Sequence, residues 1–408
     1  MKRLRIKPHI FLIFSVLLIL TGCGGGGSTG TSFTASKINC AWYFTLTIKD
    51  DGTVWGWGQN RYGTLGFNEI VYVKKPIQIN GLPAITGISS YCNFCLALDE
   101  SGNVWGWGIN HDGNLGNNIN LQTTNPNPIP AKISNLTNII SIAAGNDFSL
   151  ALKTDGTIYS WGSNFYGQLG RGEPLGESNP NPYTYIPGQV LKDGEQILDH
   201  IIAISAGETH AIALDEYGNV WAWGVNSHSQ LGIGADFDTI PVRNRATQVV
   251  NINNVKQICA GRRSNIALKI DGTVWSWGDD IYGQLGDGRS GFGINSNVPV
   301  QVHNLTNVTD IVSGTSHCFA QKNDGAIWGW GWNEFAMIGI GLTELTKIAV
   351  SEPVQVTSLS NISALGAGCE FSAFIKNDGT VVTVGRNNYG QLGNDDLTDS
   401  TTFVQVIP

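Results

Sequence analysis

The sequence lacks the motifs of the common enzyme active sites. It contains no nucleophile elbow, no phosphate-binding P-loop and no HExxH zinc motif. Its seven histidines are not spaced as a catalytic set. The run Cys92-Asn93-Phe94-Cys95 is a single CxxC pair, with no second pair and no histidine at zinc-ligand spacing. We therefore expect a protein that is not an enzyme, with no catalytic residues, no metal site and no cofactor.

Charge is also scarce, and basic charge above all. Only 14% of the residues are charged, and no long basic run follows Lys7. The net charge of −8 becomes −12 when residues 1–22, which carry four positive charges and no negative one, are removed. A phosphate-binding surface needs a basic stripe. The composition therefore argues against a nucleic-acid partner.

The first 22 residues have the pattern of a secretion signal. Four basic residues precede an apolar run from Ile10 to Leu20, which is too short for a permanent membrane span. Leu20-Thr21-Gly22-Cys23 follows directly and resembles the lipobox of bacterial lipoproteins. The resemblance implies that residues 1–22 are a signal peptide and that Cys23 is lipidated.

Residues 23–36 are predicted to be a tether behind this lipid. Gly24–Ser32 reads GGGGSTGTS, a composition typical of flexible linkers. A lipid and a tether would hold a domain at a membrane surface rather than inside the membrane. The expected location is the bacterial cell envelope, and because Gly24 is not aspartate, resemblance to lipoproteins of two-membrane bacteria favours the outer membrane.

The remaining residues, 37–408, repeat one unit seven times. In the copy Gly145–Gly170, large side chains at Phe148, Leu150 and Leu152 alternate with small ones, which predicts a strand. Asp155-Gly156 predicts a hairpin turn into a second strand that ends at Trp161. The position of Trp161 is occupied in the other copies by Trp57, Trp107, Trp223, Trp277, Trp330 and Val384. Most of the 13 tryptophans are thereby explained as packing between repeats.

A further short strand with Gln and Val or Ile recurs between the units. The copy Phe403-Val404-Gln405-Val406 follows the seventh unit, and nothing equivalent precedes the first. Four strands and about fifty residues per unit predict an all-β, seven-bladed β-propeller of four-stranded blades. The ring is predicted to close through the C-terminal strand, which would complete the first blade.

The repeats resemble those of the regulator of chromosome condensation family. The resemblance rests on runs such as Asp271-Gly272-Thr273-Val274-Trp275-Ser276-Trp277-Gly278 with Tyr282-Gly283-Gln284-Leu285-Gly286, and it covers residues 37–408. It implies the propeller fold, but not one function, because the family includes exchange factors, ubiquitin-ligase modules, a photoreceptor and secreted inhibitors. The clustered Gly-Trp-Arg-His-Thr motif of the photoreceptor is absent, which argues against light sensing.

The copies disagree most at the two residues that follow the first residue of each unit. The fold would gather these loops around one mouth of a central channel, as a mixed aromatic, acidic and basic ring of the kind that recognises proteins. The alternative is a set of solvated loop tips. The predicted binding face comprises Trp42, Tyr43, Asn93, Asn146, Asp147, Glu208, Thr209, Arg262, Arg263, Ser316 and Glu370. The proline-containing connection Arg171 to His200 is a second candidate surface.

Histidines and cysteines are interpreted as structural. His210 and His317 occupy positions where other units have phenylalanine, which favours packed histidines. Cys95 and Cys318 occupy small-residue positions. Six cysteines remain besides Cys23, and whether they form disulfides stays open.

The favoured hypothesis is a monomeric, lipid-tethered propeller that binds another protein without catalysis. Three alternatives stay open: an inhibitor of a secreted or envelope hydrolase, with Trp42, Tyr43 and Asp147 as anchors; a guanine-nucleotide exchange factor for a small GTPase; and a module for carbohydrate or surface adhesion.

Overall fold

The computed structural model of the protein describes residues 33–174, 182–235, 239–341 and 348–408. All regular elements in these residues are β-strands, which form seven sheets. Six sheets have four strands, and the fourth sheet has two additional short ones. In the described part of the chain, no helix is long and apolar enough to span a membrane. Lipidation at Cys23 and the signal peptide over residues 1–22 lie outside the described residues.

The strands follow one another blade by blade along the chain. Blade 1 consists of β1 (Lys37–Cys40), β2 (Phe44–Ile48), β3 (Val54–Gln59) and β4 (Tyr72–Gln78). Blade 2 consists of β5 (Ile85–Ser90), β6 (Phe94–Asp99), β7 (Val104–Gly108) and β8 (Asn127–Lys132). Blade 3 consists of β9 (Ile139–Ala144), β10 (Phe148–Lys153), β11 (Ile158–Ser163) and β12 (Tyr183–Gln189). Two short strands, β13 (Leu191–Lys192) and β14 (Gln196–Ile197), come next.

The remaining four blades have the same order. Blade 4 consists of β15 (Ile201–Ala206), β16 (His210–Asp215), β17 (Val220–Val225) and β18 (Val242–Gln248). Blade 5 consists of β19 (Val255–Ala260), β20 (Ser264–Lys269), β21 (Val274–Asp279) and β22 (Asn295–Gln301). Blade 6 consists of β23 (Val308–Ser313), β24 (His317–Lys322), β25 (Ile327–Trp332) and β26 (Ala349–Gln355). Blade 7 consists of β27 (Ile362–Ala367), β28 (Phe371–Lys376), β29 (Val381–Gly385) and β30 (Ser400–Gln405).

The first strand of each blade lies at the centre of the ring, because it contacts the first strands of both neighbouring blades. The core lies between blades, where apolar side chains of one sheet pack on those of the next. The six repeat tryptophans are fully buried in these interfaces, as the sequence predicted. A single four-stranded blade has no such partner, so the ring is the unit that buries the apolar faces.

Each buried tryptophan also donates a hydrogen bond to the preceding blade. The indole Nε1 of Trp277 lies 3.1 Å from the carbonyl oxygen of Gln230, and Trp223 contacts Gln168 in the same way at 2.9 Å. Small side chains on the neighbouring strand reinforce this contact: Ser149 donates to the carbonyl of Asn114 at 2.8 Å, the same oxygen that accepts from Trp161. One backbone carbonyl per blade therefore holds two adjacent blades together.

The predicted closure by the C-terminal strand is wrong. β30 pairs with β29 of its own blade, with Val382 opposite Gln405 and Thr383 opposite Val404. Blade 1 is complete without it, since β4 pairs with β3. The Gln-Val strand of each unit follows the third strand of that unit and returns antiparallel to it, so no unit lacks a strand. The ring closes by the same contact as elsewhere: Trp57 Nε1 donates to the carbonyl of Gln391 in blade 7 at 2.9 Å.

The described part of the chain begins at Phe33, four residues before the predicted propeller boundary at residue 37. Phe33 is 3% exposed and its ring packs edge-on against Trp57 at 5.7 Å. Thr34 forms a β-bridge with Thr380 of blade 7. Residues Phe33 to Ser36 belong to the predicted tether. They instead pack across the junction of blades 1 and 7.

An asparagine after the third strand stabilises the loop of nearly every blade. Asn226 accepts a hydrogen bond from the backbone N–H of Leu231 at 3.0 Å and donates its amide to the carbonyls of Ala235 and Ile240. Equivalent acceptor bonds recur in all seven blades, at Asn60, Asn110, Asn164, Asn226, Asp280, Asn333 and Asn387. In every blade this side chain therefore caps the backbone of the loop that follows the third strand.

Blade 5 has an aspartate at this position, and it lacks the donor. Asp280 accepts from Leu285 at 2.9 Å, but its buried Oδ2 has no partner among the described residues. Burial raises the pKa of Asp280 to about 7. A carboxyl with a raised pKa stabilises the fold below its unfolded pKa of 3.8, and this contribution is lost as pH rises through 7.

The substitution Asp280→Asn is therefore expected to stabilise the protein by about 1–2 kcal/mol at pH 8, because it restores the amide donor of the other blades. The gain should shrink as pH falls towards 4. Denaturant unfolding at both pH values measures it, with Asn226→Asp as the converse variant. An Asp280→Asn variant that is less stable than the wild type at pH 8 would contradict this account.

Candidate functional site

The loops between the first and second strands meet in a ring at one end of the channel. We call this ring the collar; its members are Trp42-Tyr43, Cys92-Asn93, Asn146-Asp147, Glu208-Thr209, Arg262-Arg263, Thr315-Ser316 and Cys369-Glu370. Backbone N–H groups link one collar loop to the next blade, as from Trp42 to Tyr91 (3.0 Å) and from Glu208 to Arg262 (3.1 Å). None of these residues is fully exposed to solvent: the exposed fraction of each is intermediate or low. The collar is therefore a partly buried rim.

The second residue of each collar pair also has a constant backbone role. Its carbonyl accepts the N–H that follows the strand-three glycine, as from Gln59 to Tyr43 and from Val225 to Thr209. A Cβ at Gly58 would lie 2.5 Å from the Tyr43 carbonyl oxygen, so only glycine fits there. The backbone of Asn93, Thr209 and Ser316 thus has the same structural role in each blade, whereas their side chains differ from blade to blade.

The aromatic side of the collar continues outward to the rim. We call this the aromatic row: Tyr72, Tyr389, Tyr43, Trp42 and Tyr91. Successive ring centroids lie 5.3, 4.8, 5.9 and 6.2 Å apart, which is contact distance for aromatic pairs. Tyr72 at the outer end is 50% exposed. Burial raises the pKa of Tyr43 to about 12, with the neighbouring Cys369 and Glu370 adding to it, so this phenol stays neutral.

The charged side of the collar is built around Glu208. Its carboxylate accepts two hydrogen bonds from Arg262, both at 3.1 Å, and one from Arg263 at 3.0 Å. Burial would raise the pKa of Glu208, but the bonds and charges of the two arginines outweigh it and lower the pKa. The guanidinium of Arg262 also lies 5.7 Å from the ring of Trp42. Arg262 therefore joins the charged side to the aromatic row across the mouth.

The other predicted residues lie in the collar but in separate contacts. Asn146 donates its amide to the carboxylate of Asp147. Burial raises the pKa of Asp147 to about 6, and the nearby Asp112 adds to the shift. Glu370 pairs with Arg386 at 2.7 Å. The structure thus brings the predicted residues into one ring, while their role in binding stays a prediction.

The sequence comparison missed the residues that the loops between the third and fourth strands contribute to the same face. Trp332 stacks on Tyr282 at 5.2 Å and contacts Phe335 at 5.9 Å, and Arg386 lies 4.9 Å from the Phe335 ring. A signal for this group exists: the residue after the strand-three glycine differs in every copy, as Gln59, Ile109, Ser163, Val225, Asp279, Trp332 and Arg386. Tyr389, Trp332 and Phe335 belong to the candidate site as much as the collar does.

The connection Arg171 to His200 is partly used inside the protein. Arg171 is half-buried and donates to the carbonyls of Ser160 and Ile186. β13 pairs with β18 of blade 4, and residues 175–181 lie outside the described residues. Ile186 is 58% exposed, so part of the connection remains available as a surface, and its predicted contact role stays a prediction.

The histidines and cysteines have the structural places predicted for them. His210 and His317 are fully buried, and their Nε2 atoms bond Asn265 and Ser372, each at 2.9 Å. Burial lowers the pKa of His210 to about 4 and that of His317 to about 3, so both are neutral at pH 7. Cys95 and Cys318 are fully buried, and all six described cysteines are free thiols.

The cavity in the channel is small, and the thiols among the described residues that line it are Cys40 and Cys259. A cavity of about 220 Å³ lies between the central strands, lined in part by Asn39, Ser90 and Ser205, below the usual size of a small-molecule site. Burial raises the pKa of the lining Cys259 thiol to about 11, which makes it a poor nucleophile. Within the described residues, no three His, Cys, Asp or Glu side chains are grouped to hold a metal ion.

Comparison with known proteins identifies the architecture. The family model described as RCC1-like domain matches residues 26–291 and 174–408. The ultraviolet-B receptor UVR8 of Arabidopsis thaliana is 31% identical over 64% of this chain and 56% of its own length. The secretion-regulating guanine nucleotide exchange factor of Bos taurus is 30% identical over 57% of this chain and 51% of its own length. The chain thus matches about half the length of these two relatives.

A solved structure shows the same fold. Prp20p from Saccharomyces cerevisiae, described with its binding to Gsp1p and histones, superimposes with a TM-score of 0.74 at 22% identity, over 92% of this chain and 88% of that one. The match confirms the all-β, seven-bladed ring.

Proposed function

Since this chain belongs to the RCC1-like domain family, we propose that it is a non-catalytic propeller that binds another protein through the collar and the aromatic row. Propellers of this family act mostly as binding and exchange-factor domains, and the domain itself is not catalytic even in ligase relatives. We also propose that the protein is a monomer and that a lipid on Cys23 holds it in the bacterial cell envelope. We propose no nucleic-acid partner.

The observation that carries the proposal is the continuity of the aromatic row with Arg262 and Glu208. Tyrosine, tryptophan and arginine are the residues that most often dominate protein interfaces. Here the four tyrosines and the tryptophan of the aromatic row form, together with Arg262, one connected group of side chains from the exposed Tyr72 to the mouth. The rings are already packed on one another, so little side-chain entropy is lost when a partner binds.

A photo-reactive amino acid at Tyr72 tests this interface in the native envelope. We expect it to trap one defined partner, and we expect Trp42→Ala and Arg262→Ala to lower the captured amount at least about tenfold, as loss of a central interface residue does. The matched control is Tyr217→Ala, which removes a 63% exposed tyrosine from a turn between second and third strands, on the opposite face. A partner captured equally by both collar variants would place the interface elsewhere.

The lipid anchor is tested separately. In cells fed a clickable fatty acid, we expect wild-type protein to be labelled and membrane-bound, and Cys23→Ala protein to be unlabelled. Labelling that persists in Cys23→Ala would refute lipidation at this residue without affecting the binding proposal.

A second candidate, nucleotide exchange on a small GTPase, is favoured by the relative that is a guanine nucleotide exchange factor. Release of a fluorescent guanine nucleotide from candidate GTPases measures it. Acceleration that Arg262→Ala abolishes would replace the first candidate with this one.

A further inference from the structure

Except in blade 4, the fourth strand of each blade is the outer edge of its sheet, and most of these edges are protected against pairing with another chain. Exposed edges of β-sheets pair with other chains unless proline, charge or a covering segment prevents it. In five outer strands a proline lies two residues before the last residue that pairs with the third strand: Pro76, Pro130, Pro187, Pro299 and Pro353. Proline has no N–H, so none of these five edges offers a donor at this point.

The two strands without this proline are β18, with Ala246, and β30, with Phe403. The edge of β18 is occupied: β13 pairs with it through Lys192 and Ala246, and Arg171 forms a β-bridge with Arg245. The chain therefore provides its own example of an extended segment at a proline-free edge.

The edge of β30 has none of these protections. Its sequence STTFVQ contains no proline and no charged residue, and no strand in the described part of the chain pairs with its outer side. Thr401 and Thr402 are exposed. The Ser400 hydroxyl donates a hydrogen bond of 2.7 Å to the Thr402 carbonyl, which an incoming strand can replace.

An uncharged groove accompanies this edge. It has a volume of about 430 Å³ and is lined by the apolar Ile340, Val354 and Phe403 and by polar residues such as Gln355 and Thr357, without a charged side chain. Val354 is 39% exposed. Just before β30, hydrogen bonds from Leu397 and Thr398 lower the pKa of Asp396, and the charge of the nearby Lys74 adds to the shift. Lys74 itself pairs with Asp395, and Asp396 has no ion pair within the described residues.

We propose that the outer edge of β30 binds an extended segment of a partner protein, which adds to blade 7 as a fifth strand. The backbone of that segment pairs with β30, its alternate side chains are apolar and enter the groove, and a lysine or arginine at its end meets Asp396. A second copy of this chain is the poorer occupant, because both copies carry a net charge of −8 and repel each other. The site lies on the rim and is independent of the collar.

The test uses a dye-labelled peptide of alternating threonine and valine with a lysine at each end. We expect it to bind the wild-type protein and to slow amide hydrogen exchange at residues 400–405. The same peptide with alternate backbone nitrogens methylated cannot pair and should bind at least about tenfold more weakly.

The variant Thr402→Lys with Phe403→Pro reproduces the Lys75-Pro76 pair of β4 and should weaken binding at least about tenfold. Because Phe403 also packs against Phe374 at 5.6 Å, Thr402→Lys alone serves as the second variant if the first does not fold. Ile129→Lys is the matched control, since Ile129 is 72% exposed on β8, whose edge Pro130 already blocks. Equal binding of both peptides, or protection outside residues 400–405, would overturn the proposal. So would a wild-type dimer in light scattering that Thr402→Lys converts to a monomer.

Discussion

Replacement of Trp57 by alanine is expected to lower the free energy of unfolding by about 3–5 kcal/mol, the usual cost of removing a buried tryptophan. Trp57 is fully buried at the junction where the ring closes. The variant loses the apolar contact with Phe33 and the hydrogen bond to the Gln391 carbonyl. Denaturant unfolding followed by fluorescence and by circular dichroism measures the change.

Two further variants identify the source of this loss in stability. One tests the hydrogen bond apart from the apolar packing, and the other tests whether the position in the ring matters. Trp57→Phe keeps most of the apolar volume but not the indole donor, so we expect a loss of only about 1–2 kcal/mol. Trp277→Ala makes the same change inside the ring, where Nε1 donates to Gln230 at 3.1 Å. Similar losses at Trp57 and Trp277 would show that closure uses the ordinary blade contact. A Trp57→Ala protein as stable as the wild type would refute closure by side-chain packing.

The second large effect concerns pH and the two buried histidines. Burial lowers the pKa of His210 to about 4 and that of His317 to about 3, from an unfolded value of 6.5. A histidine with a lowered pKa stabilises the fold above pH 6.5, and this contribution is lost as pH falls toward the folded pKa. The double variant His210→Phe/His317→Phe should therefore gain about 3 kcal/mol relative to the wild type between pH 6.5 and pH 5.

Phenylalanine is the suitable replacement because Phe44, Phe94, Phe148 and Phe371 occupy the same place in other blades. Asp147 and Asp280, whose pKa values are raised, oppose the wild-type trend but are present in both proteins, so the difference isolates the histidines. His200→Phe is the control, since His200 is exposed and bonded to Glu216. If the stability difference does not change with pH, the two histidines are not held neutral in the fold.

Much of the architecture could be predicted because the same local pattern occurs seven times. Alternation at Phe148, Leu150 and Leu152 predicted β10, and Asp155-Gly156 predicted the turn into β11. Buried positions of Trp161 and His210 followed from comparison between copies. Repetition also misleads: it predicts that the C-terminal Gln-Val strand completes the first blade, because a repeat does not show where the structural unit begins. Pairing of β30 with β29 decided that point.

The candidate site was predictable only in part. Variation between copies located the collar, but spacing carries no information on which loops of different strands meet. Tyr389 is 346 residues from Tyr43 in sequence and lies 4.8 Å from it in the ring. Arg262 and Trp42 are likewise far apart in sequence, in blades 5 and 1, and come into contact only in the folded ring.

The sequence by itself determined the strands, their turns, the number of blades and the residues that pack between them, since each of these depends on periodicity and composition within about fifty residues. The tertiary structure alone decided how the ring closes, which side chains share the mouth and which outer strand keeps an open edge. Those features depend on contacts between blades far apart in the chain, and only the closed ring brings their residues together.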